Sequence, residues 1–384
     1  MLMTQVQEFY LTTVIVENKI ILRNHFIDSF FMYLQYINTQ FLFIHDIILV
    51  IIFINITILI NIGGEYMKLI IISLLCALAI AIIIIICYAG NYLYNLGINP
   101  KYPKDLVFKN NTNDEVNQDE TSGSKNISSE TWLLNYSNYE DFYITSNDGL
   151  KLHNFVIKNK CESHKWVITV HGYTSQGIYM AQYAKRFYDM GYNIIIPDLR
   201  GHGKSEGTYI GMGWHERFDI VDLTNYITNN YPNSEIVLFG VSMGAATVMS
   251  TSGEKLPKSV KAIIEDCGYT SVWNQFAYQL KALFKLPAFP MMHAASIFCK
   301  IRAGYFISEA SIINQIKKSI TPTLFIHGDI DDFVPFFMLD EIYNASPVEK
   351  EKLIIPNAGH AKASTVNPNL YWSTVEKFLS KYVK

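Results

Sequence analysis

The sequence predicts an α/β protein: a mostly parallel sheet with helices on both faces, carrying a small helical lid and preceded by a membrane helix. Three observations point there. Short β-branched or aromatic runs alternate with amphipathic stretches from about Thr131 to the C-terminus. Most of those runs are continuously apolar, as strands buried on both faces are. An uncharged apolar run nearer the N-terminus is long enough to cross a bilayer.

The 384 residues accommodate one large domain plus an appendage, and half of them are hydrophobic (50%) against 17% charged, with a net charge of -3. Lysines and glutamates are interspersed and leave no basic face, which argues against nucleic acid as a partner. Five cysteines without a Cys-x-x-Cys or a His/Cys cluster argue against a disulfide framework and a zinc site. Cys76 and Cys87 fall in the apolar run, and Cys161, Cys267 and Cys299 read as ordinary buried thiols. No metal and no organic cofactor is expected.

Leu69 to Tyr88 reads LIIISLLCALAIAIIIIICY. Twenty such residues at ~1.5 Å rise span ~30 Å, the thickness of a hydrocarbon core. Residues 67–100 are therefore expected to be a single-pass, uncleaved anchor. Residues 1–66 lack caps, turns and a sustained period. Ile62 to Met67 back-translates to a purine-rich ribosome-binding pattern roughly seven nucleotides before a start codon, so Met67 is expected to be the natural start and 1–66 to be upstream sequence. The alternative is an extra membrane segment, Ile47 to Ile60, forming a hairpin with the anchor. Residues 101–130 are expected to be a polar linker, since Asn110 to Glu130 holds only Val116 and Ile127 as aliphatics.

The domain of residues 131–384 opens on Phe142 to Thr145 and Leu150 to Ile157 around Asn147-Asp148-Gly149, a hairpin signature. Strands follow at Trp166 to Val170, Asn193 to Ile196, Glu235 to Phe239, Lys261 to Ile264, Pro322 to Ile326 and Lys352 to Ile355, with helices at Tyr179 to Met190, Trp214 to Thr228 and Leu370 to Tyr382. In such a sheet, chemistry gathers beyond the carboxyl ends of the strands.

One of those ends carries Gly240-Val241-Ser242-Met243-Gly244, with a helix expected immediately after. A serine at a tight strand-to-helix turn needs glycine on both sides, because a side chain there would collide with a neighbouring element. The helix also aims its amide dipoles at a developing negative charge. Ser242 needs a base, and His360 follows the last strand at the same sheet edge. An acid should follow the preceding strand, where His327-Gly328-Asp329-Ile330-Asp331-Asp332 offers three candidates.

With these motifs, the chain from about Phe142 resembles the α/β-hydrolase superfamily, and within it the bacterial serine hydrolases of the serine-aminopeptidase-like and Bem46-like group. In that group the loop reads His-Gly-x-x-Asp-x-x-Val-Pro, so the resemblance implies Asp331 as the acid, Asp329 as a turn carboxylate and Asp332 as a loop residue. It implies an oxyanion hole from the amides of Tyr173, one past His171-Gly172, and Met243. It implies structural roles for His171 and His327, and loop architecture for Asp198 to Ser205, including Arg200, with His202 as a possible ligand contact.

Tyr269 to Ser311 is expected to be the lid insertion (about 269–311), holding Trp273, Phe276, Tyr278, Phe284, Phe289, Met291 and Met292, and broken by Pro287 and Pro290. The expected activity is that of a membrane-tethered serine hydrolase cleaving a carboxylic ester or thioester through an acyl-enzyme on Ser242. A peptidase or amidase is the alternative, with Glu265, Asp266 or Glu309 receiving a substrate amine, and a non-enzymatic binding module the least favoured. The domain is expected on the extracytoplasmic side, with a small acyl ester or a peptide-like molecule as substrate.

Overall fold

The computed structural model describes residues 50–52, 64–108 and 128–384. Most of the 1–66 stretch and most of the polar linker therefore lie outside the described residues. The chain divides into two compact units, the first ending at Ile85 and the second running from Ile86 to Lys384.

In the first unit, helix α1 (Gly64–Gly97) begins, and most of its apolar side chains stand in the open, Ile70 and Ala81 being buried: Leu69, Ile72, Leu75 and Ile83 are each more than half exposed. Among the described residues it is the one helix long and apolar enough to cross a membrane. Its last turns, from Ile86, belong to the second unit.

The second unit is built on eight strands: β1 (Glu140–Thr145), β2 (Lys151–Ile157), β3 (Lys165–Val170), β4 (Asn193–Pro197), β5 (Glu235–Val241), β6 (Val260–Asp266), β7 (Thr323–Gly328) and β8 (Lys350–Ile355). Their order in the sheet is β1-β2-β4-β3-β5-β6-β7-β8. β1 and β2 form the expected hairpin, β2 pairs antiparallel with β4, and all pairs from β4 through β8 are parallel. Side chains alternate between the faces, and both faces are covered. Trp166 and Ile168 of β3 with Ile236 and Leu238 of β5 feed one apolar cluster, while Val167, Val237 and Phe239 feed the other. That double burial is why these strands read as unbroken apolar runs.

The expected helices appear with shifted ends. The stretch at Tyr179 is a 3₁₀ turn (Gly177–Met180) running into an α-helix at Ala181–Asp189, and the two others lie at Glu216–Asn230 and Pro368–Leu379. Regular structure also occurs in the residues read as linker. A helical turn spans Asp105–Phe108, and a helix at Ser129–Tyr136 is capped by Ser128, whose side chain accepts from the Thr131 amide. That helix buries Trp132 and Leu133. Cys161 departs from expectation: it is exposed, because it sits in the surface loop between β2 and β3, whereas Cys267 and Cys299 are buried.

Candidate active site

Strand β5 ends at Val241, and α2, our label for the helix Met243–Thr251, starts one residue after Ser242. Ser242 makes the turn with φ 57° and ψ -116°, a left-handed conformation costly for a residue with a side chain. The strain is held by neighbours. The Ser242 amide donates to the Asp266 carbonyl at 2.8 Å, and its own carbonyl accepts from Ala246 at 3.0 Å. The flanking glycines are there for the anticipated reason. A Cβ on Gly240 would lie 2.2 Å from the Gly244 carbonyl oxygen, and one on Gly244 would lie 2.0 Å from that of Val170.

The structure brings Ser242, His360 and Asp331 together. Ser242 Oγ is 2.8 Å from His360 Nε2, and His360 Nδ1 is 2.8 Å from Asp331 Oδ2. With Nδ1 carrying the proton that faces the carboxylate, Nε2 is left as an acceptor for the serine hydroxyl. Asp331 Oδ1 is fixed by the amides of Phe333 (3.0 Å) and Val334 (2.9 Å). Burial alone would raise this carboxyl, but His360 and His327 outweigh it and hold it at about 2. The other two carboxylates lie elsewhere: Asp329 accepts from the Asn357 amide at 2.6 Å, and Asp332 is exposed. The Phe333 ring, with its centroid 4.9 Å from that of His360, shields the imidazole.

The two other histidines named in the motifs are built into loops. His171 accepts the Leu199 amide at Nε2 (3.0 Å), and its Nδ1 faces the Gly172 carbonyl (2.8 Å); burial pushes its pKa down to about 3, so it stays neutral. His327 Nε2 lies 2.9 Å from the Val334 carbonyl and 3.3 Å from Asp331 Oδ2, directly beneath the acid. His202 is buried against the His171 ring and does not line the cavity beside Ser242. Arg200 makes a two-point pair with buried Asp219 (2.8 and 2.7 Å) and reaches Asp148 of the hairpin turn, which ties the β4 loop to β1 and β2.

Gly172 lies against the serine, since a Cβ there would be 3.4 Å from that of Ser242. Tyr173 and Met243 line the same cavity as Ser242. The space here amounts to about 750 Å³ with the open solvent at its mouth included. Two lid helices, α3 (Val272–Phe284) and α4 (Met291–Ala303), supply much of its wall through Phe276, Leu280, Phe284 and Met292. Four of the aromatic and methionine residues expected in the lid do not reach it. Trp273 and Phe289 instead pack against His293, and Tyr278 and Met291 also lie off the cavity. None of Glu265, Asp266 and Glu309 lines it. Glu265 and Asp266 are fully buried and take the Gly268 amide and the Tyr371 hydroxyl, while Glu309 bonds the Phe306 amide at the surface. Cys267 Sγ lies within 4.8 Å of ligand atoms of Asp331 and His360, but those two already bond each other and burial raises the thiol's pKa.

The residues that sequence reasoning missed are Leu93, Leu96, Gly97 and Val107, which line the cavity from segments read as anchor and linker. The available signal was the apolar pair Leu93 and Leu96, three residues apart on the helix and beyond the length that a bilayer needs.

A strand-turn-helix serine at the carboxyl edge of a parallel sheet covered on both faces defines an α/β hydrolase. The chain belongs to the α/β-hydrolase superfamily. Residues 162–294 match the family described as serine aminopeptidase, S33. The uncharacterized protein YqkD of Bacillus subtilis is 32% identical over 214 residues, covering 56% of this chain and 70% of that protein. An esterase of Pyrococcus furiosus superposes with a TM-score of 0.53 at 28% identity, over 64% of this chain and 92% of that one. An uncharacterized membrane protein of Saccharomyces cerevisiae is 23% identical over 243 residues, covering 63% of this chain and 79% of that protein.

Proposed function

We propose that the protein is a membrane-tethered serine hydrolase that cleaves carboxylic esters or thioesters with an apolar acyl group. The observation that carries this is the hydrogen-bonded chain Asp331-His360-Ser242, with 2.8 Å at each link, opening on an apolar cavity. Ser242 Oγ attacks the carbonyl carbon as His360 Nε2 takes its proton, while Asp331 holds the ring and offsets the imidazolium charge. The amides of Tyr173 and Met243 receive the oxyanion, each donor contributing about 3 kcal/mol to the transition state. His360 then protonates the leaving group, and water, activated by the same imidazole, releases the acid.

The likeness to the Pyrococcus esterase supports an ester substrate, and the description of the matched family supports an aminopeptidase. The cavity favours the ester, because among the described residues no carboxylate lines it to receive a substrate amine. Helix α1 supplies the tether, and the likeness to the yeast membrane protein supports it. Lys68 stands before the apolar run and Lys101 and Lys104 after it, so the charges leave the positive-inside rule little to count, and the extracytoplasmic reading rests on the signal-like Met67-Lys68 start; digestion of the domain by protease added to intact cells tests that side, and full protection overturns it. For the chemistry, the full chain is labelled with a fluorophosphonate and assayed on p-nitrophenyl esters and matched anilides. Labelling at Ser242 with ester turnover well above anilide turnover is expected. Preferred cleavage of the anilides would transfer the assignment to the peptidase, and an unlabelled Ser242 would end the serine mechanism.

A further inference from the structure

The end of the apolar helix is part of the cavity. Leu93, Leu96 and Gly97 line it together with Ser242, and Val107 of the following turn joins them. This end is fastened to the site at several independent points. The phenol of Tyr173, whose amide is assigned to the oxyanion hole, donates to the carbonyls of Leu96 and Gly97 at 3.0 Å each. Lys104 folds back to donate to Leu96 (2.6 Å), Asn99 (2.8 Å) and Asn95 (3.0 Å), closing the helix C-terminus with a cation. Gly90 meets lid helix α4 so closely that a Cβ on it would lie 2.5 Å from the Ala294 Cβ, and a Cβ on Gly97 would touch the Phe276 ring at 3.0 Å. The segment is therefore fixed against both the lid and the oxyanion loop.

The wall so formed suits a hydrocarbon. Gln275 and Gln279 each donate one amide hydrogen to the Phe333 carbonyl at 2.8 Å, and the Tyr269 hydroxyl donates to the Met212 carbonyl at 2.9 Å. These donors are engaged by the protein, the buried Gln275 Oε1 being left without a hydrogen-bond partner, and leucine, phenylalanine and methionine surfaces stand beside the serine.

We propose that the last turns of the anchor helix, through Leu93 and Leu96, form one wall of the acyl-binding site and make the enzyme selective for long unbranched acyl esters, the class that partitions into a bilayer. This rests on the esterase reading given above. Its consequence is that the anchor is a specificity element as well as a tether: the residues that leave the apolar span are the ones that grip the acyl chain.

The test uses the full chain reconstituted in phosphatidylcholine vesicles, with p-nitrophenyl dodecanoate and p-nitrophenyl butyrate as probes. The quantity measured is the ratio of their kcat/KM values, which does not depend on the folded fraction because both substrates see the same active molecules. Two further carbons inside an apolar wall raise kcat/KM roughly tenfold, so the wild type should favour dodecanoate strongly. Leu93→Trp and Leu96→Trp fill the wall and are expected to lower the ratio at least tenfold. Leu93→Ala and Leu96→Ala remove contact and are expected to lower it several-fold, and they decide the matter if the tryptophan variants do not fold. Ile301→Ala, on the exposed face of α4, is the control and should leave the ratio unchanged. If the wild type labels at Ser242 and hydrolyses butyrate while all four leucine variants keep the wild-type ratio within twofold, the wall is overturned and the esterase stands. If the wild type neither labels nor turns over butyrate, the esterase itself falls and the inference falls with it.

Discussion

At the residue scale, the residues alone pointed to a nucleophile and a base and offered three carboxylates for the acid, and the family resemblance implied Asp331 among them. Geometry separates them by burial and bonding: Asp331 is buried under His360 and held by two amides, Asp329 is occupied by the Asn357 amide, and Asp332 is exposed. Ser242→Ala, His360→Ala and Asp331→Asn are each expected to lower kcat/KM roughly 10⁴-fold with unchanged circular dichroism. Asp332→Asn should stay within about threefold of wild type on the same comparison, and loss there with retention in Asp331→Asn would reassign the acid. A second residue-level expectation concerns Glu265, whose complete burial lifts its carboxyl from 4.5 to about 8. Between those values the folded protein keeps a proton that the unfolded chain releases, so this group's contribution to stability is full below about 4.5 and fades as pH rises toward 8. Glu265→Gln cannot ionise, so urea titrations from pH 5 to 8 should show a flatter stability curve than wild type. Parallel curves for the two proteins would contradict the burial argument.

At the scale of elements, most of the sheet was legible because burial on both faces writes itself as runs such as Ile194 to Ile196 and Ile236 to Phe239. Strand β8 was legible for a different reason. It lies at the sheet edge and is half exposed, but Leu353 and Ile355 still face inward. Helix ends were less legible, since the caps at Ser128 and Ser271 are short polar residues of the kind that also fill loops. The turn between β5 and α2 was legible down to its glycines, whose need is a close approach of backbone to backbone. That makes a sharp expectation: Gly240→Ala or Gly244→Ala must displace main chain, costing about 3 kcal/mol or more. Gly359→Ala, beside His360 in sequence but with nothing within 4 Å of the added carbon, should leave the melting temperature near wild type. Thermal unfolding of the three variants checks the contrast, and equal losses would mean that the elbow tolerates a side chain.

At the scale of the molecule, the lesson is where the folded unit begins. Composition draws the line after the polar linker, because a charge-rich stretch without aromatics looks like a boundary. Packing draws it within the apolar helix, at Ile86. Ile98 is fully buried, Tyr94 and Leu96 are 4% and 6% exposed, and the Ile98 carbonyl accepts the Ile210 amide at 2.8 Å. Hydropathy by itself does not reveal this, since Leu93 and Leu96 read the same whether they face lipid or a protein core, and only their place beyond the ~20 residues that a span needs points to it. A chain cut to start at Thr131 loses these contacts and bares the lid surface beneath them. Burying a large apolar side chain contributes about 1.5–3 kcal/mol, so three of them amount to on the order of 5 kcal/mol, comparable with the net stability of about 5–15 kcal/mol that a domain possesses. A chain cut to start at Ile86 keeps all three while dropping most of the apolar span. The expectation is that the Ile86 version is soluble, unfolds cooperatively and hydrolyses p-nitrophenyl butyrate, whereas the Thr131 version aggregates or melts at a temperature lower by 10 °C or more on the order-of-magnitude relation between stability and Tm. Size-exclusion chromatography, thermal melts and butyrate turnover on the two chains decide it. Equal stability and equal turnover would show that residues 86–130 are dispensable to the domain.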